Sequence, residues 1–192
     1  MHQYKGKLIV HTGSMFSGKT SSLEKDVKRF NIAKYKTIAF KPFIDNRYKR
    51  DKIVTHDLTT INAILVNNID ELIKYSKKLK PDVIAIDEIQ FLGGSVDKII
   101  SGINGFLEKD LTVIVAGLDM DFTGTPFDIV KELMAIADYL YKHHAVCVKC
   151  GADAWVSNRK SKDQERIKIG ASDEYEPLCR KCFLEQNRHM ID

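Results

Sequence analysis

Eight consecutive residues, Gly13-Ser-Met-Phe-Ser-Gly-Lys-Thr20, satisfy the pattern G-x-x-x-x-G-K-[ST] in full. Glycine at both ends lets the backbone turn its N–H groups inward around phosphate oxygens, and a helix starting there adds the positive end of its dipole. The chemistry follows from the residue types. Lys19 reaches the β- and γ-phosphates of a nucleoside triphosphate, the Thr20 hydroxyl suits Mg²⁺, and Ser14, Met15, Phe16 and Ser17 supply the backbone between the glycines. A second pair, Asp87-Glu88, directly follows the apolar run Val83-Ile-Ala-Ile86. It therefore emerges at the C-terminal end of a strand, where open α/β sheets bind ligands. Asp87 fits the carboxylate that holds magnesium, usually through water. Glu88 points differently, toward whatever attacks the γ-phosphate, where a carboxylate takes a proton or orients a nucleophile. These residues imply triphosphate binding with a metal and phosphoryl transfer, and leave the acceptor open.

The four cysteines form two Cys-x-x-Cys pairs, Cys147/Cys150 and Cys179/Cys182. Four thiolates in two knuckles are the donor set of a structural, tetrahedral Zn²⁺ site. The intervening residues 151–178 number 28, more than the usual spacing of about 15 to 20. A long loop is thus expected to be tied at its base by the metal. His143 and His144 lie nearby, but four cysteines complete the shell, so both histidines read as ordinary polar residues.

The elements that must carry these groups are legible in outline. Leu8-Ile-Val10 predicts a buried strand entering the phosphate loop, and Leu23, Val27 and Phe30 make one apolar stripe on a helix running from Ser21. Thr37–Phe40 predicts a strand stopped by Pro42, residues 45–57 a polar loop, and Ile64–Val66 a third strand. Asp70–Lys80 predicts a surface helix closed by Pro81, Val83–Ile86 a strand covered on both faces, Val96–Leu107 a helix and Val113–Ala116 a further strand. Strands alternating with helices argue an α/β fold with a parallel sheet. From about His144 the pattern changes to short segments, cysteine pairs and a polar span over Ser157–Lys168. The expected division is a nucleotide-binding domain over 1–143 and a metal-binding segment over 144–192.

Composition narrows the class. With 192 residues, 44% hydrophobic and 29% charged, the chain fits one globular domain plus a small appendage and excludes disorder and collagen-like structure. A net charge of +4 lacks the basic tract of a dedicated nucleic-acid binder. No apolar stretch approaches the roughly 18 to 20 residues of a membrane span, and Met1–Val10 carries no signal-peptide core, so the expected location is the cytoplasm.

Gly13–Thr20, Asp45-Asn-Arg-Tyr48, Thr55-His-Asp57, Ile86-Asp-Glu-Ile-Gln-Phe91, Gly117-Leu-Asp-Met-Asp-Phe122, Pro126-Phe127, the knuckles and Gly170–Cys179 occur in this order along nearly the whole chain. Together they resemble the zinc-containing thymidine kinases of bacteria, animal cytosol and poxviruses. The resemblance implies a RecA-like P-loop domain with a central, mainly parallel sheet, followed by a zinc-ribbon-like domain whose long loop, the lasso, closes over the nucleoside. It makes Glu88 the base that deprotonates the nucleoside 5′-hydroxyl and Arg47 the cation near the transferring phosphoryl group, alongside Lys19. It groups Ile89 and Gln90 with the ATP and Mg²⁺ site. It places Met15, Phe91, Leu118, Phe122, Phe127 and Tyr175 around the base, with lasso backbone from Arg166, Ile167, Lys168, Ile169 and Gly170. Without it, Arg47 would be a solvated loop residue and Phe122 and Phe127 core residues. A homotetramer and feedback inhibition by thymidine triphosphate are further implications of the resemblance.

Two functions from different classes stand beside a third, a nucleotide-sensing interaction protein with no turnover, against which Glu88 at the acceptor position argues. One is an ATP:thymidine phosphotransferase of nucleotide salvage, also accepting deoxyuridine, with no nucleic-acid or membrane partner. The other is a P-loop ATPase whose zinc module works on nucleic acid. Against the second, the zinc segment has no basic cluster beyond Arg159, Lys160 and Lys162.

Overall fold

The computed structural model describes residues 3–43, 52–54, 60–161, 165–166 and 173–187. Among these residues, nine strands and five helices follow one another. β1 (Leu8–Gly13), α1 (Lys19–Ile32), β2 (Thr37–Pro42), β3 (Lys52–Val54), β4 (Thr60–Val66), α2 (Ile69–Leu79), β5 (Val83–Ile86), α3 (Val96–Leu107), β6 (Thr112–Gly117), α4 (Asp128–Ile136) and β7 (Tyr139–His143) build the larger part. β8 (Val156–Arg159), β9 (Tyr175–Leu178) and α5 (Arg180–Gln186) follow.

Seven strands make one sheet in the order β3-β4-β2-β5-β6-β1-β7. All its pairings are parallel except β3 with β4. The central strands read as continuous apolar runs because both faces are covered. Val83, Ile84, Ala85 and Ile86 of β5 and Val113, Ile114, Val115 and Ala116 of β6 are each 0% exposed. Leu23, Val27 and Phe30 of α1 cover one face, against Ile9, Ala39, Val83, Ala85 and Ile114. α2, α3 and α4 cover the other through Leu72, Ile99, Ile103, Val130 and Leu133. The acceptor caps of α2 and α3 are the expected small polar residues: Asn68 Oδ1 accepts from Glu71 N and Ser95 Oγ from Lys98 N.

Several elements depart from the sequence reading. β1 runs on to Gly13, so the loop's first glycine is already in the sheet, and α1 begins at Lys19 rather than Ser21. Pro42 is the last residue of β2, paired with Val66, and the N–H of Phe43 supplies the donor to the Val66 carbonyl at 3.1 Å. The loop expected over 45–57 contains β3, which pairs antiparallel with Thr60–Asn62; the rest of that span lies outside the described residues. α4 and β7 have no counterpart in the pattern read from the sequence. Tyr139–His143 lacks an apolar run because β7 is the sheet's edge, with Leu140 and Tyr141 exposed. The polar span from Ser157 opens inside a strand: β8 is buried throughout, Ser157, Asn158 and Arg159 included.

Candidate active site and cysteine centre

β1, β5 and β6 are neighbours with parallel register, so the segments after them converge at one end of the sheet. This brings the phosphate loop, Asp87-Glu88 and Leu118 together. Thr20 Oγ1, at the start of α1, donates to Asp87 Oδ1 at 3.2 Å, linking the two motifs that the sequence left 67 positions apart. Lys19 is 5% exposed, and its Nζ reaches the Ser14 carbonyl at a long 3.4 Å. A buried ammonium with so little compensation is costly, and an anion in the loop removes that cost. Among the described residues the buried Ser14 and Ser17 hydroxyls likewise have no hydrogen-bond partner. The loop's donors fit a phosphate group.

Backbone strain marks the same place. Among the described residues, five other than glycine have positive φ. Lys34, Lys80 and Asp110 lie just past the ends of α1, α2 and α3, where a left-handed residue commonly closes a helix. Phe16 (φ 65) and Glu88 (φ 52) do not; they sit in the phosphate loop and the acidic turn. Such conformations cost about 1–3 kcal/mol each and persist only where surrounding bonds impose them. For Glu88 those bonds are visible. Its N–H donates to Asp87 Oδ1 at 3.0 Å, its carbonyl accepts from Phe91 N at 3.0 Å, and Gln90 Nε2 donates to its carboxylate at 2.5 Å. Gln90 Oε1 in turn accepts from Leu118 N at 3.1 Å. Ile89–Phe91 form a short 3₁₀ turn laid against Gly117, where a Cβ would come within 2.7 Å of Ile89 Cγ2 and 2.8 Å of Gln90 Oε1. Gly117 is thus a close-approach glycine that lets the acidic turn dock on β6.

Met15, Leu118, Phe122, Phe127 and Tyr175 are each 8% exposed and belong to one apolar cluster, so the residues expected around the base come together. Phe91 stands edge-on to Phe127 at 6.5 Å. The structure adds polar groups that the sequence reading passed over. Ser157 Oγ on β8 accepts from Met15 N at 2.7 Å. The Arg159 guanidinium, 3.9 Å above the Phe122 ring, donates to Tyr175 Oη at 2.8 Å and to the carbonyls of Glu165 and Arg166. Arg159 is 6% exposed and is no part of a basic face. Asp121 Oδ2 accepts from Arg166 Nε at 2.8 Å, while Arg166 Nη2 donates to the Pro126 carbonyl at 3.0 Å. The Arg166 side chain, and not its backbone alone, thus ties residue 166 to the segment between β6 and α4. Arg47, Ile167, Lys168, Ile169 and Gly170 lie outside the described residues.

Beyond β7, the Sγ atoms of Cys147, Cys150, Cys179 and Cys182 all lie within 4.8 Å of one another. Among the described residues no histidine joins them: His144 Nδ1 faces the Ala154 carbonyl at 3.2 Å and His143 turns to His11. Burial pushes the Cys147 thiol up, but backbone N–H groups of Cys179, Lys149 and Cys150 more than offset this and hold it at about 6. Cys182 goes the other way, to about 12, through its hydrogen bond with the Cys179 sulfur and through burial. Four sulfurs packed this closely cannot all ionise without a cation among them. With one they form a closed four-thiolate donor set.

A doubly wound sheet with this loop at the end of its β1 strand defines a P-loop nucleotide-binding protein. The flagellar accessory protein FlaH from Methanocaldococcus jannaschii shares the fold, with a TM-score of 0.54 and 13% identity over 78% of this chain and 75% of that one. The family model described as Thymidine kinase matches residues 6–183. A thymidine kinase of Bacteroides thetaiotaomicron is 41% identical over 180 residues, covering 94% of this chain and 88% of the relative. One from Bacteroides fragilis is 40% identical over 187 residues, covering 96% and 92%. The chain belongs to the thymidine kinase family.

Proposed function

We propose that the chain transfers the γ-phosphoryl group of ATP to the 5′-hydroxyl of thymidine in nucleotide salvage, with deoxyuridine as a second acceptor. Membership of the family carries the substrate, and the Thr20–Asp87 contact beside a buried Glu88 supports the chemistry. Glu88 takes the 5′-hydroxyl proton as the O–P bond forms and the bond from Pγ to the β-phosphate oxygen breaks, releasing ADP. Gly13, Ser14, Met15, Phe16, Ser17 and Gly18 cradle the phosphates, Lys19 spreads the γ-phosphate charge, and Arg47 adds a second cation. Thr20 and Asp87 are the residues that would hold Mg²⁺, which supplies charge neutralisation at the β- and γ-oxygens. Ile89 and Gln90 keep the acidic turn in place. Phe91, Leu118, Phe122, Phe127, Met15 and Tyr175, with backbone of Arg166, Ile167, Lys168, Ile169 and Gly170, enclose the base. The cysteines would hold a structural Zn²⁺, and the catalytic part ends near 143, with 144–192 as the zinc-binding part. The cytoplasm, a homotetramer and inhibition by thymidine triphosphate complete the reading.

The test is ADP production with Mg-ATP and no acceptor, thymidine, deoxycytidine or single-stranded DNA. Thymidine-dependent turnover yielding the monophosphate is expected, falling about 10²- to 10⁴-fold in Glu88→Gln. Turnover stimulated by DNA and indifferent to thymidine would instead make Glu88 a water-activating residue of an ATPase.

A further inference from the structure

Two strands and one helix assemble a polar chain that phosphoryl transfer leaves unused. His11 stands on β1, two residues before the loop's first glycine, and is 4% exposed. Its Nε2 lies 3.1 Å from Asp26 Oδ2 on α1, and its Nδ1 lies 3.0 Å from Nε2 of His143, the last residue of β7. The donor inventory fixes the proton order when both rings are neutral. A carboxylate only accepts, so His11 Nε2 donates to it; His11 Nδ1 then accepts, and His143 Nε2 must donate. That leaves His143 Nδ1 as the position where a further proton is added, with the Asp26 charge transmitted to it through His11.

This chain meets the phosphate loop at His143. The β1–β7 register sets Gly13 opposite His143, whose carbonyl is so close that a Cβ on Gly13 would come within 2.2 Å of it. The charged and titratable groups facing His143 are His11 from β1, Lys19 from the start of α1 and the adjacent His144. Behind His11 stand Asp26, which also accepts from Arg29 at 3.1 Å, and Tyr141, whose ring is stacked 5.2 Å away. In the free protein, burial first, then the charges of His11, Lys19 and His144, hold His143 below the ordinary imidazole range. A polyphosphate on the loop offsets the Lys19 charge and so favours the imidazolium.

We propose that Asp26, His11 and His143 form a proton-accepting relay that couples nucleotide binding at the phosphate loop to uptake of a proton from solvent on His143. This rests on the loop's binding a nucleoside triphosphate, as proposed above. The His143 imidazole acts on the loop through its charge, opposite that of a bound polyphosphate and facing Lys19, and touches no nucleotide atom itself. By linkage, the triphosphate binds more tightly as pH falls through the histidine range, by up to about tenfold for each unit by which binding raises the His143 pKa.

The test is calorimetric titration of the full chain with Mg²⁺ and the β,γ-imido analogue of ATP at about pH 6.5, in buffers of different ionisation enthalpy. Wild type is expected to take up a measurable fraction of a proton per nucleotide. His143→Gln and Asp26→Asn are expected to lose most of that uptake while their affinities at about pH 8 stay within about twofold of wild type. Equal uptake in wild type and either folded variant, or binding without uptake in wild type, overturns the relay and leaves nucleotide binding standing. No binding by wild type overturns the phosphoryl-transfer reading and the relay with it. Should His143→Gln fail to fold, Asp26→Asn and the wild-type buffer series decide.

Discussion

The phosphate-loop end of the sheet and the cysteine-bearing segment hold their shape by different means. The first draws on two apolar layers and parallel strands that continue through it, so its strained residues, Phe16 and Glu88, are imposed by a large core. The second has a fully buried nucleus of Cys147, Val156, Leu178 and Phe183 around a two-stranded ladder. Side chains of that size contribute about 1.5–3 kcal/mol each on burial, whereas ordering the backbone costs about 1–2 kcal/mol per residue. A nucleus this small leaves the segment between the knuckles reliant on contacts with the larger core and on the cross-link that four thiolates around a cation would supply. A structural four-thiolate metal contributes about 10 kcal/mol or more in small peptides, comparable to what burial of the whole nucleus contributes. Position in a fold thus decides whether a site is held by burial or by a bond.

The sharpest way to break this contrast is to deny the four thiolates a cation. Chelation, or Cys179→Ala, is expected to make residues 144–187 protease-sensitive and abolish thymidine turnover, while far-UV circular dichroism keeps the signal of the large sheet. Loss of both parts in one cooperative transition would show that the sheet depends on the metal as well.

A smaller effect is expected from Gly117→Ala, which acts on the core-held side. The added methyl meets Ile89 and Gln90, so the turn carrying Glu88 must shift. Overpacking of this kind costs about 1–3 kcal/mol. We expect kcat to fall about tenfold or more with little change in the Michaelis constant for ATP, because the phosphate loop itself is untouched. An equal rise in that constant would mean that loop and turn move as one body.

The smallest effect is at the β1–β7 edge. Burial pushes the Asp138 carboxyl up, but the backbone N–H of Leu8 and the Lys7 ammonium outweigh it and leave the group below the ordinary carboxylate value. A lowered carboxylate stabilises the fold above its unfolded pKa, and that contribution is lost as pH falls through the folded pKa. Asp138→Asn is therefore expected to lower stability by about 1 kcal/mol at neutral pH. The difference from wild type should fade below about pH 4, as read by urea denaturation at several pH values. A difference independent of pH would assign the effect to packing.

What the sequence disclosed follows the same division. The loop, the acidic pair and the knuckles are contiguous patterns, and each fixes its own local geometry; the buried runs of β5 and β6 announce a sheet covered on both faces. β7 was hidden because an edge strand has no need of an apolar run. Arg159 was hidden because a charged residue in a polar stretch gives no sign that a phenyl face and two carbonyls wait for it across the fold. The Asp26–His11–His143 chain draws members from three elements, although a histidine following Leu-Ile-Val in a buried strand was a signal that it must find a partner.

The hydrogen bond from Met15 N to Ser157 Oγ bears on how such proteins can be recombined. A chimera that joins this sheet to another C-terminal segment inherits a loop amide, buried and already committed, whose acceptor came from the discarded half. Unless the graft brings a hydroxyl or carbonyl to the place of residue 157, that amide is left unsatisfied at a cost of about 1–3 kcal/mol. The loop and the strand beyond the knuckles therefore have to be exchanged as a matched pair.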